Sequence, residues 1–121
     1  MIGLSFKTGT DDLRESPLVL LAEHFIGKGL DVVIYDPEVQ LSRLLGANRR
    51  FIEQHVPHIG SLLREDLSRV VGDAEVVVLG SSERATQREL AGMLRPDQLV
   101  LDLVGVPHDG LLASRMVGLC W

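Results

Sequence analysis

The sequence predicts an α/β fold, an open doubly wound parallel sheet of about five strands with a Rossmann-like arrangement. Short apolar runs such as 75–79 (EVVVL) and 98–103 (QLVLDL) have the nearly continuous hydrophobicity of strands that are buried on both faces. Between such runs lie segments such as 17–27, where apolar residues recur at helical spacing. This alternation of strands and helices predicts a parallel sheet that is covered by helices on both sides.

The beginning of the chain predicts one β-α-β unit. Residues 1–6 (MIGLSF) are the first strand, and residues 31–35 (DVVIY) are the second, which a turn at Asp36-Pro37 ends. The signals that bound the helix between them are Ser16 as N-cap, Pro17 at the first helical position, and Gly27 or Gly29 at its end. The crossover is expected to be right-handed and the two strands parallel.

The remaining segments continue the same pattern within a single domain, residues 1–121. We predict, in chain order, short helices over 39–45 and 48–55, a helix within 61–71, a strand over 75–79, a helix within 83–94, a strand over 98–103, a helix or loop over 108–116, and a strand over 117–121. The first strand begins at Met1 without a leader, which indicates a piece of a larger protein.

The composition is that of an ordinary globular domain, with 45% apolar and 24% charged residues among 121. The net charge of −5 argues against a general nucleic-acid-binding protein, which would carry a basic patch. A single cysteine forms no internal disulfide and fits a reducing compartment. No apolar run approaches 18 residues, so we expect no membrane association and a cytoplasmic location.

Ligands of such sheets bind at the carboxyl ends of the strands, where the strand order reverses. If the first and third strands are neighbours, the loops Lys7–Ser16 and Gly80–Glu83 line that crevice. Both loops lead into helix N-termini, which favour anions. Lys7 and Arg14 would add full positive charges, so the first loop could hold a phosphate. The alternative is that Arg14 pairs with Asp11 or Asp12 and only stabilises the loop.

Other candidate residues have structural alternatives of their own. Asp36 occupies the place of a ribose-binding acid, but the chain has no G-x-G-x-x-G sequence, so a turn role beside Pro37 is favoured. Asp102 could reach the crevice or hold the turn that follows it. His55 and His58 lack a third ligand nearby, so we expect no metal site. The apolar neighbours of Cys120 favour a buried structural thiol.

The stretch GLSFKTGTDDLRESP, residues 3–17, resembles the start of the C-terminal domain of the UDP-glucose/GDP-mannose dehydrogenase family. Further stretches are similar to the GDP-mannose 6-dehydrogenase branch of that family, and they are GKGLDVVIYDPEV, VPHIGSLL, VVVLG, LVLDLVG and the final LCW. The resemblance covers essentially the whole chain. It is specific in the core of the first stretch, where the TDDLRESP form is closer to GDP-mannose enzymes than to UDP-glucose enzymes.

The resemblance implies the substrate-binding domain of an enzyme that oxidises GDP-mannose to GDP-mannuronate, a precursor of alginate-type polysaccharides, with NAD as cofactor. It implies that Phe6, largely through its backbone, and Lys7 contact the nucleotide sugar. It implies that Arg14 approaches the bound NAD. The implied partners are the N-terminal and central domains of the same enzyme, in a homo-oligomer.

The departures from the family pattern concern the chemistry. The chain has neither the glycine fingerprint of the N-terminal NAD-binding domain nor the segment with the nucleophilic cysteine, and Cys120 does not match it. We therefore expect no catalytic residue in this chain, NAD binding mainly by the N-terminal domain, and no activity of the chain alone. The alternatives are a UDP-glucose-type dehydrogenase domain, a non-enzymatic assembly or interaction module, and a stand-alone nucleotide sensor.

Overall fold

A computed structural model describes residues 1–5, 7, 12–40, 49–107 and 116–118. The labelled elements are α1 (Pro17–Gly27), α2 (Arg49–His55), α3 (Pro57–Leu62), α4 (Leu67–Gly72), β1 (Val76–Leu79), α5 (Arg84–Met93), β2 (Leu99–Asp102) and β3 (Met116–Gly118). Residues 37–40 are also helical. Across these ranges, no helix combines the length and the apolar character that crossing a membrane requires. The predictions over 41–48, 108–115 and 119–121 lie outside the described residues.

The sheet is parallel, as predicted, and its strands follow the order β1-β2-β3. Val76 lies opposite Leu99, and Leu101 lies opposite Val117. The prediction of about five strands is not confirmed, because the described residues contain three strands. The first two predicted strands are present as isolated parallel bridges, in which Ile2 pairs with both Leu79 and Tyr35.

Helix α1 begins as its sequence signals predict. The Ser16 hydroxyl accepts a hydrogen bond from the backbone N–H of Leu18, and Pro17 occupies the first turn. The helix ends at Gly27, and Gly29 then adopts a φ of +79°, a left-handed conformation that favours glycine. The predicted helix within 83–94 and the predicted strands over 75–79 and 98–103 are confirmed as α5, β1 and β2.

One prediction was confirmed only in part and another was wrong. The helix predicted within 61–71 is present as α4, but residues 61 and 62 belong to α3, because residue 63 pairs with the second predicted strand. The backbone N–H of Arg64 donates to Ile34, and Asp66 then caps the next helix by accepting from Ser68. Asp36-Pro37 does not form a simple turn, since it begins the helical residues 37–40. Aspartate followed by proline is an N-cap signal as well as a turn signal.

Two apolar clusters, one on each side of the sheet, form the core. The first contains residues of α1, α2 and α3 together with Val78, and the second contains residues of α4 and α5 together with Val77 and Val100. Val77 and Val78 are neighbours in one strand and so point to opposite faces. Helices therefore lie on both faces of the sheet, as the apolar strands predict.

When the 121-residue chain is prepared by itself, the α-amino group of Met1 makes its stability depend on pH. It donates to the carbonyl of Val33 at 2.7 Å, and burial lowers its pKa from 8.0 to about 6. The unfolded chain keeps the ordinary pKa and binds more protons between pH 6 and 8, so stability rises with pH across that window. We expect a gain of up to about 2 kcal/mol from pH 6 to pH 8.

Urea unfolding at several pH values measures this gain. Because histidines titrate nearby, the control is the same chain with an acetylated N-terminus, which cannot titrate there. The difference between the two pH profiles isolates the amine. Parallel profiles would contradict the assignment.

Candidate functional site

A cavity of about 160 Å³ lies at the carboxyl ends of three parallel segments. They are β1 and the first two predicted strands, residues 1–6 and 31–35, which we call the first and second segments. Three segment ends enclose it, and its described lining residues are Ile2, Gly3, Ser5, Tyr35, Asp36, Pro37, Glu38, Gly80, Ser81, Glu83 and Thr86. The first and third predicted strands are neighbours here, because the N–H of Ile2 donates to Val78 and the N–H of Gly80 donates to Ile2. The structure thus places a cavity at the edge where the sequence predicts a ligand site.

Two glycines let the segment ends meet at this cavity. Gly3 has a φ of +89°, and a Cβ added there would lie 2.9 Å from the backbone nitrogen of Ser81. A Cβ on Gly80 would lie 2.8 Å from a methyl group of Leu18 in α1. At Gly3 the close neighbours include backbone atoms and φ is positive, so glycine is required there, whereas the terminal methyl groups of Leu18 can shift to accept a Cβ at Gly80. Gly3 thus allows the first segment to approach the backbone of Gly80 and Ser81.

Asp36 fixes the shape of one wall through four backbone hydrogen bonds. Its Oδ2 accepts from Leu4 at 2.8 Å and from Ser5 at 3.1 Å. Its Oδ1 accepts from Glu38 at 3.1 Å and from Val39 at 3.2 Å. The carboxylate is buried and ties the first segment end to the N-terminus of the helical residues 37–40. This confirms a structural role for Asp36, which the turn interpretation favoured.

The second wall is organised around the start of α5. The Ser81 hydroxyl accepts from the backbone N–H of Glu83, and the buried Thr86 hydroxyl donates to the Glu83 carboxylate. The sequence prediction included Gly80–Glu83 but missed Ser5, Tyr35 and Thr86. The signal for Thr86 was available, because a residue at the third position of a helix faces its cap. Tyr35 and Ser5 carry no comparable local signal.

The electrostatics of the cavity are negative. Its described lining contains three carboxylates, those of Asp36, Glu38 and Glu83, and no basic side chain. Partial burial, together with the carboxylates of Glu89 and Glu83, raises the pKa of Tyr35 above its ordinary value. A phosphate bound at this edge therefore needs cations from outside the cavity.

Lys7 and Arg14 are the cations that the sequence places near this edge. Neither is among the described lining residues, and both are exposed. Arg14 forms an ion pair with Asp12, in which its Nε lies 3.0 Å from Oδ1, and this hydrogen bond lowers the pKa of Asp12. The alternative interpretation of Arg14, pairing within the loop, is thus observed. Phe6 lies outside the described residues.

The loop that carries these cations is held at its far end by Ser16. Besides capping α1, the Ser16 hydroxyl donates to the carbonyl of Leu4 at 2.7 Å. Ser16 is buried, so this bond is shielded from water. Because Leu4 also donates to Asp36, both ends of the loop are attached to the wall of the cavity. Residues 7 and 14 therefore lie on a loop that starts and finishes at the predicted ligand edge.

The other candidate residues have structural contacts. Asp102 is fully buried and accepts from the N–H groups of Val104, Gly105 and Val106, which confirms its turn role. His55 stacks on Phe51 with ring centroids 4.8 Å apart, and His58 pairs with Glu23 at 3.0 Å. Within the described part of the chain, no three metal-binding side chains cluster. Cys120 lies outside the described residues.

Comparison with known proteins gives consistent matches over the chain. The family described as UDP-glucose/GDP-mannose dehydrogenase family, UDP binding domain, matches residues 1–108. GDP-mannose 6-dehydrogenase from Pseudomonas syringae pv. tomato is 46% identical in an alignment of length 122 that covers 100% of this chain and 28% of that protein. GDP-mannose 6-dehydrogenase from Pseudomonas aeruginosa is 45% identical in an alignment of the same length, with 100% and 27% covered.

A solved structure agrees with these sequence matches. The crystal structure of a ternary complex of GDP-mannose dehydrogenase from Pseudomonas aeruginosa superposes with a TM-score of 0.87 at 45% identity. The superposition covers 99% of this chain and 27% of that one. The chain thus spans little more than a quarter of the length of the relatives it matches. Fold, sequence and family agree, and this chain belongs to the UDP-glucose/GDP-mannose dehydrogenase family, whose C-terminal domain it matches.

Proposed function

We propose that this chain is the nucleotide-sugar-binding domain of an NAD-dependent 6-dehydrogenase that oxidises GDP-mannose to GDP-mannuronate, an alginate-type precursor. The observation that carries the proposal is the 45–46% identity, over the whole chain, to relatives named GDP-mannose 6-dehydrogenase. The cavity at the strand ends supports it, because three segment ends line it and the loop that carries Lys7 and Arg14 is attached beside its wall through Leu4, Ser16 and Asp36. In this proposal the enzyme is cytoplasmic and homo-oligomeric, and the chain alone is inactive.

We further propose that the first two predicted strands, residues 1–6 and 31–35, extend the three strands into one doubly wound sheet of five, with the single bridge from Ile34 to Leu63 at its outer edge. Ile2 links the first segment to both Tyr35 and Leu79, and all these pairings are parallel. Across this sheet the spatial order is second segment, first segment, β1, β2 and β3. The chain therefore builds outward in one direction from the first segment and then in the other. That reversal is the position at which ligands bind to such sheets.

Lys7 and Phe6 are proposed to contact the nucleotide sugar, with Phe6 acting through its backbone. The Lys7 ammonium is a compact charge that suits a phosphate or a sugar oxygen. Arg14 is proposed to approach NAD, and its planar guanidinium can bind phosphate or carbonyl oxygens through two donors. The present partner of Arg14 is an Asp12 carboxylate that is itself 43% exposed. Water screens such a pair, so Arg14 can exchange it for a ligand at little cost.

The described residues do not form a dinucleotide site of their own. A bound dinucleotide requires a glycine turn that is open toward its pyrophosphate. The Cβ direction of Gly3 points at Ser81, and the cavity beside it is acidic. We therefore assign NAD binding mainly to the remainder of the longer enzyme, where the cofactor would supply the hydride acceptor for oxidation of the sugar. This chain contributes binding, orientation and exclusion of water when it closes over the substrate.

A chimeric enzyme tests the proposed function. In it, the matching segment of the Pseudomonas aeruginosa GDP-mannose 6-dehydrogenase is replaced by this chain. We expect NADH formation with GDP-mannose and little with UDP-glucose. The second candidate is a UDP-glucose-type domain, which the UDP binding description of the matched family favours. A chimera that prefers UDP-glucose would replace the first proposal with the second, and a folded chimera without either activity would contradict both.

Replacing Lys7 or Arg14 with alanine in the chimera is expected to lower kcat/KM for GDP-mannose by roughly 100-fold, since each change removes a charged contact to bound ligand. The melting temperature should stay unchanged, because both side chains are exposed. Lys28→Ala is the matched control, an exposed lysine just after the C-terminus of α1. Steady-state kinetics with varied GDP-mannose and NAD measure the effects. Lys7→Ala or Arg14→Ala activity equal to that of the control would remove that residue from the site.

A further inference from the structure

The topology leaves one part of the sheet without a covering helix among the described residues. The strand order β1-β2-β3 advances in one direction, and a right-handed crossover places α5, the helix between β1 and β2, on one face of the sheet. The contacts agree, because Leu90 of α5 and Val106 of the connection after β2 pack in the same cluster, with Val77 and Val100. Helix α1 covers the opposite face only where it meets Val78 and its neighbours.

Apolar side chains occupy the uncovered part. We call Val76, Leu99 and Val117 the bare sheet face, and they are 49%, 44% and 50% exposed. They share one face because Val76 lies opposite Leu99, and Val117 lies opposite Leu101, two residues after Leu99. Strands of parallel sheets are normally covered on both faces. Three adjacent strands that each expose an aliphatic side chain on the same face therefore indicate a missing partner.

The dimensions of the bare sheet face indicate what covers it. Its three residues stand on adjacent strands and span about 10 Å, twice the strand spacing. That width matches the diameter of one α-helix with its side chains. A second copy of the chain is a poorer fit, since a stable interface between proteins buries upward of roughly 1,000 Å² in total. Three half-exposed aliphatic side chains provide far less.

We propose that one amphipathic helix of the longer dehydrogenase polypeptide packs its apolar side on the bare sheet face. The relatives have more than two thirds of their length outside the matched segment, which is enough chain to supply such a helix. The inference rests on the proposed function in one respect, that this chain is a domain of a longer enzyme. It adds an intramolecular docking surface that is separate from the strand-end cavity.

Cysteine labelling tests this surface in both contexts. Leu99→Cys and Val117→Cys are prepared in the 121-residue chain and in the chimera, with Leu30→Cys, which is 56% exposed outside the bare sheet face, as the control. Maleimide labelling is followed by peptide mass spectrometry, which separates these sites from Cys120. We expect positions 99 and 117 to label at least about tenfold more slowly in the chimera than in the chain. The control should label equally in both.

Two results would overturn the proposal. Equal labelling at position 99 in both contexts would show that the rest of the enzyme leaves the face open. Slow labelling in the isolated chain that becomes fast on dilution would show that a second copy covers it. The activity of the same chimera with GDP-mannose is a separate measurement, so an inactive chimera with protected cysteines would contradict the proposed function alone.

A matched substitution gives a second readout. Val76→Thr together with Val117→Thr keeps the shape and strand preference of the side chains and adds hydroxyl groups. We expect a lower melting temperature for the chimera and no change for the isolated chain, where these positions are half-exposed. Leu30→Thr should change neither. An equal fall in both proteins would contradict docking at this face.

Discussion

Gly3→Ala is expected to lower the free energy of unfolding by about 3 kcal/mol, the sum of the cost of a left-handed backbone and that of a forced contact. The new Cβ would lie 2.8 Å from the Cβ of Ser81, 2.9 Å from its nitrogen and 3.1 Å from the carbonyl carbon of Gly80. Two of these atoms are backbone atoms that belong to the chain leaving β1, so relief requires the two segment ends to separate.

Chemical denaturation of the wild-type chain and the variant measures this effect. Gly92→Ala is the control, because Gly92 lies inside α5 and an added Cβ there meets nothing within 4 Å. That control is expected to gain about 0.5–1 kcal/mol from its better helix propensity. If both alanine variants shift stability equally, the close approach of Gly3 to Ser81 is absent.

Asp36→Ala is expected to cost about 3 kcal/mol or more, since it leaves four backbone donors without their acceptor, and buried unsatisfied donors are expensive. Leu4 and Val39, two of the donors, are themselves buried. The loss should also widen the strand-end cavity, because Asp36 connects the first segment end to the helical residues 37–40 through both of its oxygens. In the chimera, the Michaelis constant for GDP-mannose should then rise.

Two variants calibrate the Asp36 result. Asp36→Asn keeps one acceptor oxygen, so its cost should lie between those of alanine and wild type. Asp31→Ala removes an exposed carboxylate five positions earlier and should change stability by less than about 0.5 kcal/mol. Thermal and urea unfolding of the three variants give the ranking. A loss for Asp36→Ala as small as that for Asp31→Ala would show that the carboxylate does not hold the cavity wall.

Local signals in the sequence predicted the elements whose boundaries they determine directly. Ser16 and Pro17 define the start of α1 because the cap and the first helical turn are contacts between neighbours in sequence. The strands β1 and β2 were predictable because their residues face apolar clusters on both sides. The parallel arrangement followed from the same pattern.

Elements that depend on distant partners were not predictable in detail. The break between α3 and α4 exists because residues 62 and 64 hydrogen-bond to Ile34, almost thirty positions earlier. No local pattern reports such a pairing. Likewise, the sequence showed that Gly3 is not part of a dinucleotide fingerprint, but its contact with Ser81 becomes visible only when two segment ends are brought together.

The candidate site was predicted to the level of an edge and one of two loops, because no described residue of Lys7–Ser16 lines the cavity. The loop Gly80–Glu83 does line the cavity, whereas Asp36 serves as an internal acceptor. The charges of the first loop show why sequence alone left alternatives open. Asp12 and Arg14 are two positions apart, so an internal pair and an outward-facing cation are both compatible with the spacing. Binding of a ligand would show whether Arg14 leaves Asp12 and faces outward.

Hydrogen–deuterium exchange of the chimera with and without GDP-mannose tests most directly whether the nucleotide sugar binds at this strand-end edge. We predict slower exchange in the peptides that contain residues 3–17 and 80–83. Exchange in α2 and α3, which do not line the cavity, should be unchanged. Protection confined to other parts of the chain, or none at saturating GDP-mannose in an active chimera, would contradict the assignment of the site.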